Sequence, residues 1–273
     1  MTNANVYDAM EAVVSRAGRV LLATDFDGTL CAIADSPRSV SLSEATIEVV
    51  RSLILSPRLE LAVISGRSLS DLRQLLPFDA TLAGNHGLEI EGKGIRFRHP
   101  GAASLRPFLE RACKTLRRAI RHWPKAWVEE KGLTATLHFR NAPALNADSV
   151  LFATQSWLAD FSDELEFRSA IESVEIRPRV NWDKGSAMGL VFERLGPFDA
   201  CICLGDDQTD EAMFRSAHSR LSIRIGEKTK NSAANQFLPR QEQVLPLLAH
   251  LAEMVNRKDS AAAAGGSYAW AAR

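Results

Sequence analysis

The sequence predicts an α/β protein, with a doubly wound, Rossmann-like parallel sheet into which an α+β cap is inserted. Three observations support this prediction. Apolar runs alternate with helical patterns up to about residue 100, the order then becomes helix–strand–strand twice, and the alternation resumes after Asn181. Alternation is typical of parallel sheets between helices, whereas the middle order suggests an antiparallel sheet with helices on one face. The predicted domains are a discontinuous core at 1–100 and 180–257 and a cap at 101–179.

The first core segment contains three predicted strands and a hairpin. The strands are RVLLAT, LELAVISG and ATLAGNHG, which are apolar runs of the length of buried strands. A helix with Ser43 as its N-cap follows the first strand, and a helix capped by Ser68 or Ser70 follows the second. The hairpin is GLEIEGKGIRFRH, with its turn at 92–94.

The remaining elements follow in the same way. The cap is predicted to contain helices over SLRPFLERACKTLRRAIRHW and ADSVLFATQSWLADF, strands within KAWVEEKGLTATLHFR, and strands over ELEFRS and SVEIRP. The second core segment is predicted to alternate helices over KGSAMGLVFERLG, QTDEAMFRSA and QVLPLLAHLAEMV with strands over DACICLG and RLSIRIG. We expect hinges near Pro100 and at 178–181, about which the cap closes.

The composition argues against several classes of protein. Lys and Arg total 33, as do Asp and Glu, so the charge favours neither a nucleic-acid nor a membrane partner. We expect no signal peptide, and no apolar segment approaches the ~20 residues of a membrane span. The four cysteines form no CxxC pair, which predicts free thiols and a cytoplasmic location. The low-complexity residues 258–273 predict a disordered tail.

Polar residues follow four of the predicted parallel strands, at the edge where such sheets bind ligands. Lys184 begins a helix that points at the same edge. Bringing so many charges together is costly unless a cation and an anion bind among them. By itself DFDG could be a plain turn, but it fails as a calcium loop because Leu30 stands where that loop needs Gly. The strand-end residues are Asp25, Asp27, Ser65, Gly66, Arg67, Asn85, His86, Asp206, Asp207 and Asp210.

These residue types suit phosphoryl transfer. Carboxylates are hard ligands for Mg²⁺, which also contacts phosphate. One Asp can attack phosphorus and form an aspartyl-phosphate, and a second can protonate the leaving oxygen and then activate water. Ser65 can donate hydrogen bonds to phosphate oxygens, and Lys184 can neutralise the developing charge. As alternatives, Ser65 could be an ordinary helix cap and Lys184 a solvated lysine.

In combination, the motifs DFDGTL, Ser65, NWDKG and GDDQTDE resemble the haloacid dehalogenase phosphatase superfamily. The further motifs VISGR, AGNHGLEI, VEEKGLTATLHFR, EIRPRVNWDKG and LGDDQTDEAMF resemble the trehalose-6-phosphate phosphatases within it, and the match covers most of residues 20–226. Each motif is weak alone, whereas the set is specific. The resemblance implies a HAD-like core and Mg²⁺-dependent hydrolysis of trehalose 6-phosphate in trehalose biosynthesis.

The resemblance also implies roles for the matching residues. Asp25 would be the nucleophile, Asp27 the general acid and base, and Ser65 and Lys184 would hold the phosphate. Asp27 would contact Mg²⁺ through its backbone carbonyl, whereas Asp206 would be a direct side-chain ligand. The expected metal site comprises Asp25, Asp27, Asp206, Asp207 and Asp210, the last two acting through water or by orienting the site.

The sugar contacts are expected among side chains that can hydrogen-bond to hydroxyl groups. Glu130 and Lys131 alternate along a strand, so at most one of them should face the cleft. His86 could instead bind only a turn, and His138 could belong to the packing of the sheet. The predicted substrate-binding residues are Gly66, Arg67, Asn85, His86, Gly87, Glu130, Lys131, Arg140 and Glu175, with His138 and Arg177 as further candidates.

Two alternatives to a trehalose-6-phosphate phosphatase stay open. The chain could hydrolyse another sugar phosphate, such as sucrose phosphate or mannosyl phosphoglycerate, because the cap determines that choice. It could also be a catalytically silent sugar-phosphate sensor, although a sensor would have no need of Asp25 and Asp27 together. The chain is too short for a synthase domain, so a trehalose-phosphate synthase would be a partner in trans.

Overall fold

Two β-sheets organise the chain in the computed structural model, which describes residues 5–34, 39–142 and 146–257. The larger sheet has eight strands. In chain order they are β1 (Val20–Thr24), β2 (Leu59–Ile64), β3 (Thr81–Gly84), β4 (Glu89–Gly92), β5 (Ile95–Arg98), β10 (Ala200–Gly205), β11 (Ser219–Ile225) and β12 (Gln236–Leu238). Their spatial order is β12-β11-β10-β1-β2-β3-β4-β5. Pairs from β12 to β3 are parallel, and β4 and β5 continue antiparallel as the predicted hairpin.

Helices cover both faces of the larger sheet, because alternate strand residues point to opposite sides. Val20 and Leu22 pack on the side of α1 (Val6–Val14), α2 (Glu44–Leu55), α3 (Leu69–Leu75) and α9 (Val244–Asn256). Leu21 and Ala23 pack on the other side, with α7 (Lys184–Leu195) and α8 (Glu211–Phe214). The predicted doubly wound core is therefore confirmed.

The second sheet lies between β5 and α7 in the sequence. Its strands are β6 (Trp127–Glu130), β7 (Ala135–His138), β8 (Leu165–Ala170) and β9 (Ser173–Pro178), antiparallel in the order β6-β7-β9-β8. Helices α5 (Arg106–Ala119) and α6 (Ala147–Trp157) cover one face around a separate apolar core. We call residues 106–178 the cap module. The domain limits given in the sequence analysis stay predictions.

The sequence signals place most helix starts correctly. Ser43 accepts a hydrogen bond from the Thr46 N–H at 3.1 Å and caps α2. Ser68, rather than Ser70, caps α3 by accepting from the Asp71 N–H at 3.1 Å. The long cap helix predicted over 104–123 is shorter, since α5 begins at Arg106 with Pro107 in its first turn and ends at Ala119. A separate short helix, α4 (Pro100–Ser104), precedes it. The helix predicted over QTDEAMFRSA is shorter, a 3-10 turn followed by α8.

Three elements, α1, α4 and β12, were not predicted from the sequence. Within the described residues the four cysteines are free and buried, as expected. None of the helices in this part of the chain is long and apolar enough to cross a membrane. The predicted disordered tail, 258–273, lies outside the described residues.

Candidate active site

A cavity of about 700 Å³ lies between the carboxyl edge of the larger sheet and the polar face of the cap module. The ends of β1, β2 and β10 and the start of α7 form its floor. Parallel strands end at the same edge, so residues far apart in the sequence meet there. Asp25, Ser65, Lys184 and Asp206 all line this floor, as the sequence predicts.

Lys184 is the buried cation of the floor. Its ammonium group is 2% exposed and lies 2.9 Å from Asp25 Oδ1 and 2.7 Å from Asp210 Oδ1. Burial alone would lower the pKa of Lys184, but these two carboxylates raise it above its usual range. Lys184 is therefore a fixed positive charge beside Asp25, and a solvated helix-start lysine is excluded.

Asp206 is held close to the β1 loop by two features of that loop. Thr29 Oγ1 donates to Asp206 Oδ1 at 3.1 Å. Gly28 has φ +76°, and a Cβ at this position would lie 2.2 Å from Asp206 Oδ2. The DFDGT segment thus supplies the space and the hydroxyl that orient Asp206.

Asp210 holds neighbouring site residues in place through its carboxylate. Its carboxylate is fully buried, and its Oδ2 accepts hydrogen bonds from the N–H groups of Asp206 at 3.0 Å and Asp207 at 2.9 Å. Its Oδ1 accepts from Lys184 at 2.7 Å. Both oxygens are therefore engaged by protein donors, and Asp210 positions the backbone that carries Asp206. Asp207 itself lines the cavity.

The donor set fits a divalent cation. Carboxylate oxygens of Asp25, Asp206 and Asp210 lie within 4.8 Å of one another. Burial raises the pKa of Asp25 well above its usual value, opposed by Lys184 and reinforced by Asp210 and Asp206. Burial, with Asp210 next, also raises the pKa of Asp206 to about 6. A hard cation such as Mg²⁺ would offset this repulsion. Since Asp210 is already engaged, Asp25 and Asp206 are the two side chains of this group that could hold the cation.

Asp27 points towards Arg67. The guanidinium Nε lies 2.7 Å from Asp27 Oδ2, and a second guanidinium nitrogen lies 2.7 Å from Oδ1. This two-point contact fixes the orientation of the carboxylate. The Asp27 side chain is 35% exposed and lines the cavity, so it stays within reach of a ligand. Arg67, a predicted substrate contact, therefore also positions Asp27.

Ser65 belongs to the β2–α3 loop and caps no helix. Its Oγ accepts from the Arg67 N–H at 3.2 Å, whereas the cap of α3 is Ser68. A Cβ at Gly66 would lie 2.7 Å from the His86 ring, so glycine allows the β2–α3 loop to contact the turn that follows β3. His86 has a left-handed φ of 58°, and burial lowers its pKa to about 4. The imidazole is therefore neutral near pH 7 and faces the cavity.

The cap module contacts the core through polar groups beside this loop. Lys131 Nζ donates to the Gly66 carbonyl at 3.1 Å. Asn85 Nδ2 donates to the Lys131 carbonyl at 3.0 Å, and Asn85 Oδ1 accepts from Thr134 Oγ1 at 2.6 Å. His86 Nε2 lies 3.3 Å from Glu175 Oε1. These contacts place Lys131 and Glu175 above the predicted phosphate site.

The remaining predicted residues differ in where they lie. Arg140 and the further candidates His138 and Arg177 line the cavity. Gly87 supports the loop, with its carbonyl accepting from Trp182 Nε1 at 2.9 Å. Asn85, fully buried, likewise holds the loop to the cap module. Neither Asn85 nor Gly87 is among the described residues that line the cavity.

Glu130 lies away from the cavity, contrary to expectation. Its Oε1 is 2.5 Å from an Arg117 guanidinium nitrogen on the helix-covered face of the cap module. The alternate residues Lys125, Trp127, Glu129 and Lys131 line the cavity instead. The predicted position is therefore corrected by one residue, to Glu129, because successive strand residues face opposite sides.

Replacing Glu129 and Glu130 separately tests this correction. We expect Glu129→Gln to lower kcat/KM for the sugar phosphate by about tenfold or more, because a charged acceptor in the cavity is lost. Glu130→Gln should change kcat/KM by less than about twofold, because a half-exposed ion pair contributes little. Steady-state phosphate release by the two variants decides the matter. A larger loss from Glu130→Gln would contradict the placement.

Several site residues were missed in the sequence, among them Trp127 and Glu129, which line the cavity, and Thr29, which positions Asp206. Trp127 and Glu129 could have been found from the alternation along KAWVEEK, because every second residue of a strand faces the same side. Lys131, a predicted substrate contact, shares that side with both. Thr29 lies within the DFDGT motif itself. Its hydrogen bond to Asp206 spans 177 positions, which no local pattern indicates.

Comparisons with known proteins agree with this geometry. A family model described as trehalose-phosphatase matches residues 23–243. A Mycobacterium tuberculosis protein named an uncharacterised glycosyl hydrolase is 34% identical over 198 residues, which are 70% of this chain and 15% of that protein. A trehalose-phosphate phosphatase of Mycobacterium bovis is 33% identical over 196 residues, which are 70% of this chain and 49% of that protein. The chain thus spans about half, or less, of the length of these relatives.

A solved structure shares the fold. The C-terminal domain of the Candida albicans trehalose-6-phosphate phosphatase superposes with a TM-score of 0.75 at 22% sequence identity. The match covers 92% of this chain and 98% of that domain. The fold of this chain is therefore a known one.

Proposed function

The chain belongs to the trehalose-phosphatase family, and on that premise we propose that it hydrolyses trehalose 6-phosphate to trehalose and phosphate. One observation supports this most directly. The buried Asp25–Lys184 pair, 2.9 Å apart, lies under a cap face whose side chains are hydrogen-bonding groups. The floor of the cavity suits a phosphate and its attacking group. The face of the cap module above it, which forms the roof of the cavity, suits hydroxyl groups.

In the first step an oxygen of Asp25 attacks phosphorus. The bond from phosphorus to the sugar oxygen breaks, and Asp27 gives that oxygen its proton, so trehalose leaves as the neutral alcohol. Lys184 and Ser65 hold the phosphoryl oxygens while charge develops on them. The product on the enzyme is an aspartyl-phosphate at Asp25.

In the second step Asp27 takes a proton from water. The water oxygen attacks phosphorus, the bond to Asp25 breaks, and phosphate leaves. Asp27 has then regained the proton it gave, and Asp25 is again a carboxylate. Mg²⁺ held by Asp25, Asp206 and the Asp27 carbonyl, with Asp207 and Asp210 in support, would supply positive charge to the phosphate oxygens. The cap module excludes water from the first step.

A panel of phosphate esters tests the proposal. Phosphate release would be measured with Mg²⁺ from trehalose 6-phosphate, sucrose 6-phosphate, glucose 6-phosphate and mannosyl phosphoglycerate. We expect kcat/KM to be highest for trehalose 6-phosphate by at least about tenfold, since unpaired polar groups penalise the wrong sugar. A chelator should stop release, and added Mg²⁺ should restore it.

Each other outcome points elsewhere. If kcat/KM is highest for another sugar phosphate, the proposed reaction mechanism stands, but the cap module selects a different sugar. Binding of trehalose 6-phosphate without release would indicate the sensor. A synthase partner in trans and a cytoplasmic location stay predictions from the sequence.

A further inference from the structure

We propose that the stacked pair of Trp127 and His138 forms a platform for the second, unphosphorylated ring of the substrate and selects a disaccharide phosphate. The inference rests on the proposed hydrolysis of trehalose 6-phosphate. It gives a binding role to the part of the cavity that lies away from the residues proposed to hold the phosphate.

The pair is built by the pairing of β6 with β7. Trp127 and His138 are direct cross-strand partners. Their ring centroids are 4.3 Å apart, and the ring planes are inclined by 17°. Both side chains line the cavity. His138 is held in turn by Glu129 Oε2, 2.7 Å from its Nε2. The two rings therefore have a fixed position on the polar face of the cap module.

Packing of the cap core does not require an aromatic pair on this face. That core has its own pair on the helix-covered side, Trp123 and Trp157, with ring centroids 4.9 Å apart. Trp127 lies on the opposite face of the sheet. A ligand that covers the exposed part of this ring would remove apolar surface from water. Its location therefore points to binding.

The position along β6 matches the second ring. Lys131 marks the phosphate end, because its Nζ is 3.1 Å from the carbonyl of Gly66, the residue after Ser65. Trp127 precedes Lys131 by four residues, which corresponds to about 13 Å along a strand. Glu129 lies midway. In a disaccharide phosphate the ring that bears the phosphate comes first, at Glu129, and the second ring then reaches Trp127.

An aliphatic side chain, Ile33, lines the cavity wall near Arg140. Arg140, two residues beyond His138, donates to the Ala34 carbonyl at 2.8 Å. This contact brings the neighbouring Ile33, 53% exposed, to the cavity wall. Sugar rings present C–H groups on one face, which suit aromatic and aliphatic surfaces, and hydroxyl groups at the rim, which suit Glu129 and Arg140.

The test compares two substrates that differ by the second ring. kcat and KM would be measured with Mg²⁺ for trehalose 6-phosphate and glucose 6-phosphate, using the whole chain and its variants Trp127→Leu and Trp127→Phe. Trp123→Leu is the matched control, a tryptophan removed from the other face of the cap. We expect Trp127→Leu to raise KM for trehalose 6-phosphate by about tenfold and to leave glucose 6-phosphate within about twofold. Trp127→Phe should restore most of the loss.

The outcomes separate this inference from the proposed function. A wild-type chain that prefers trehalose 6-phosphate, with a Trp127→Leu variant that keeps the same preference, would overturn the platform and leave the function intact. Equal losses on both substrates would also overturn it, since they indicate a general disturbance. A wild-type chain that does not prefer trehalose 6-phosphate would overturn both. Thermal unfolding of each variant checks that the cap module is folded.

Discussion

Asp25→Asn is expected to reduce phosphate release from trehalose 6-phosphate by about 10⁴-fold or more, because the group that attacks phosphorus is lost. An amide oxygen of the same size occupies the same place but is a far weaker nucleophile. Lys184, 2.9 Å away, remains paired with Asp210, so the floor should keep its arrangement. The measurement is single-turnover phosphate release with Mg²⁺ and with the enzyme in saturating excess over trehalose 6-phosphate.

The stability of this variant provides the control. Carboxylate oxygens of Asp25, Asp206 and Asp210 lie within 4.8 Å of one another, and Lys184 pairs with two of the three. Burial already raises the pKa of Asp25 well above its usual value. Removing one negative charge relieves repulsion in the metal-free protein. We therefore expect the metal-free variant to unfold at the same temperature as the wild type or a higher one. Activity within about 10²-fold of wild type would show that another group attacks phosphorus.

The floor of the site could be predicted from the sequence for a physical reason. The carboxyl ends of parallel strands meet at one edge, so polar residues after β1, β2 and β10 had to converge. The order of strands and helices fixes this edge without knowledge of distances. Asp25, Ser65 and Asp206 are therefore in their predicted place. Lys184 is as well, since α7 begins at this edge.

The roof was harder to predict, because a strand has two faces and the sequence does not say which one is inward. Glu129 and Glu130 are adjacent acids, and the choice between them depends on how the cap module docks on the core. The contact from Lys131 to the Gly66 carbonyl settles that choice and cannot be read locally. The short strand β12 was missed because three residues carry no periodic pattern.

The role of Asp210 shows a further limit. Its spacing from Asp206 is compatible with a metal ligand, and the sequence leaves that role open. The structure shows Asp210 accepting from Lys184 and from two backbone N–H groups. A buried carboxylate whose two oxygens both accept from protein donors stabilises the turn that carries Asp206. Only the three-dimensional partners distinguish such an orienting group from a ligand.

Asp27→Asn is expected to slow hydrolysis of trehalose 6-phosphate by about 10² to 10⁴-fold, through loss of both proton transfers. The first transfer matters only when the leaving oxygen needs a proton. p-Nitrophenyl phosphate has a leaving group that departs as the anion, so formation of the aspartyl-phosphate from this ester should continue. The second step still lacks the base that activates water. The variant should therefore accumulate phosphate on Asp25.

A rapid-mixing experiment detects that accumulation. Asp27→Asn with excess p-nitrophenyl phosphate and Mg²⁺ should release a burst of nitrophenolate close to one equivalent per chain and then turn over slowly. Asp25→Asn should give no burst, since it has no acceptor for the phosphoryl group. Asp27→Asn also weakens the contact to Arg67, whose Nε lies 2.7 Å from Asp27 Oδ2. An effect through Arg67 would slow both steps alike, so that no phosphate accumulates on Asp25 and no burst appears. That result would assign Asp27 a positioning role in place of proton transfer.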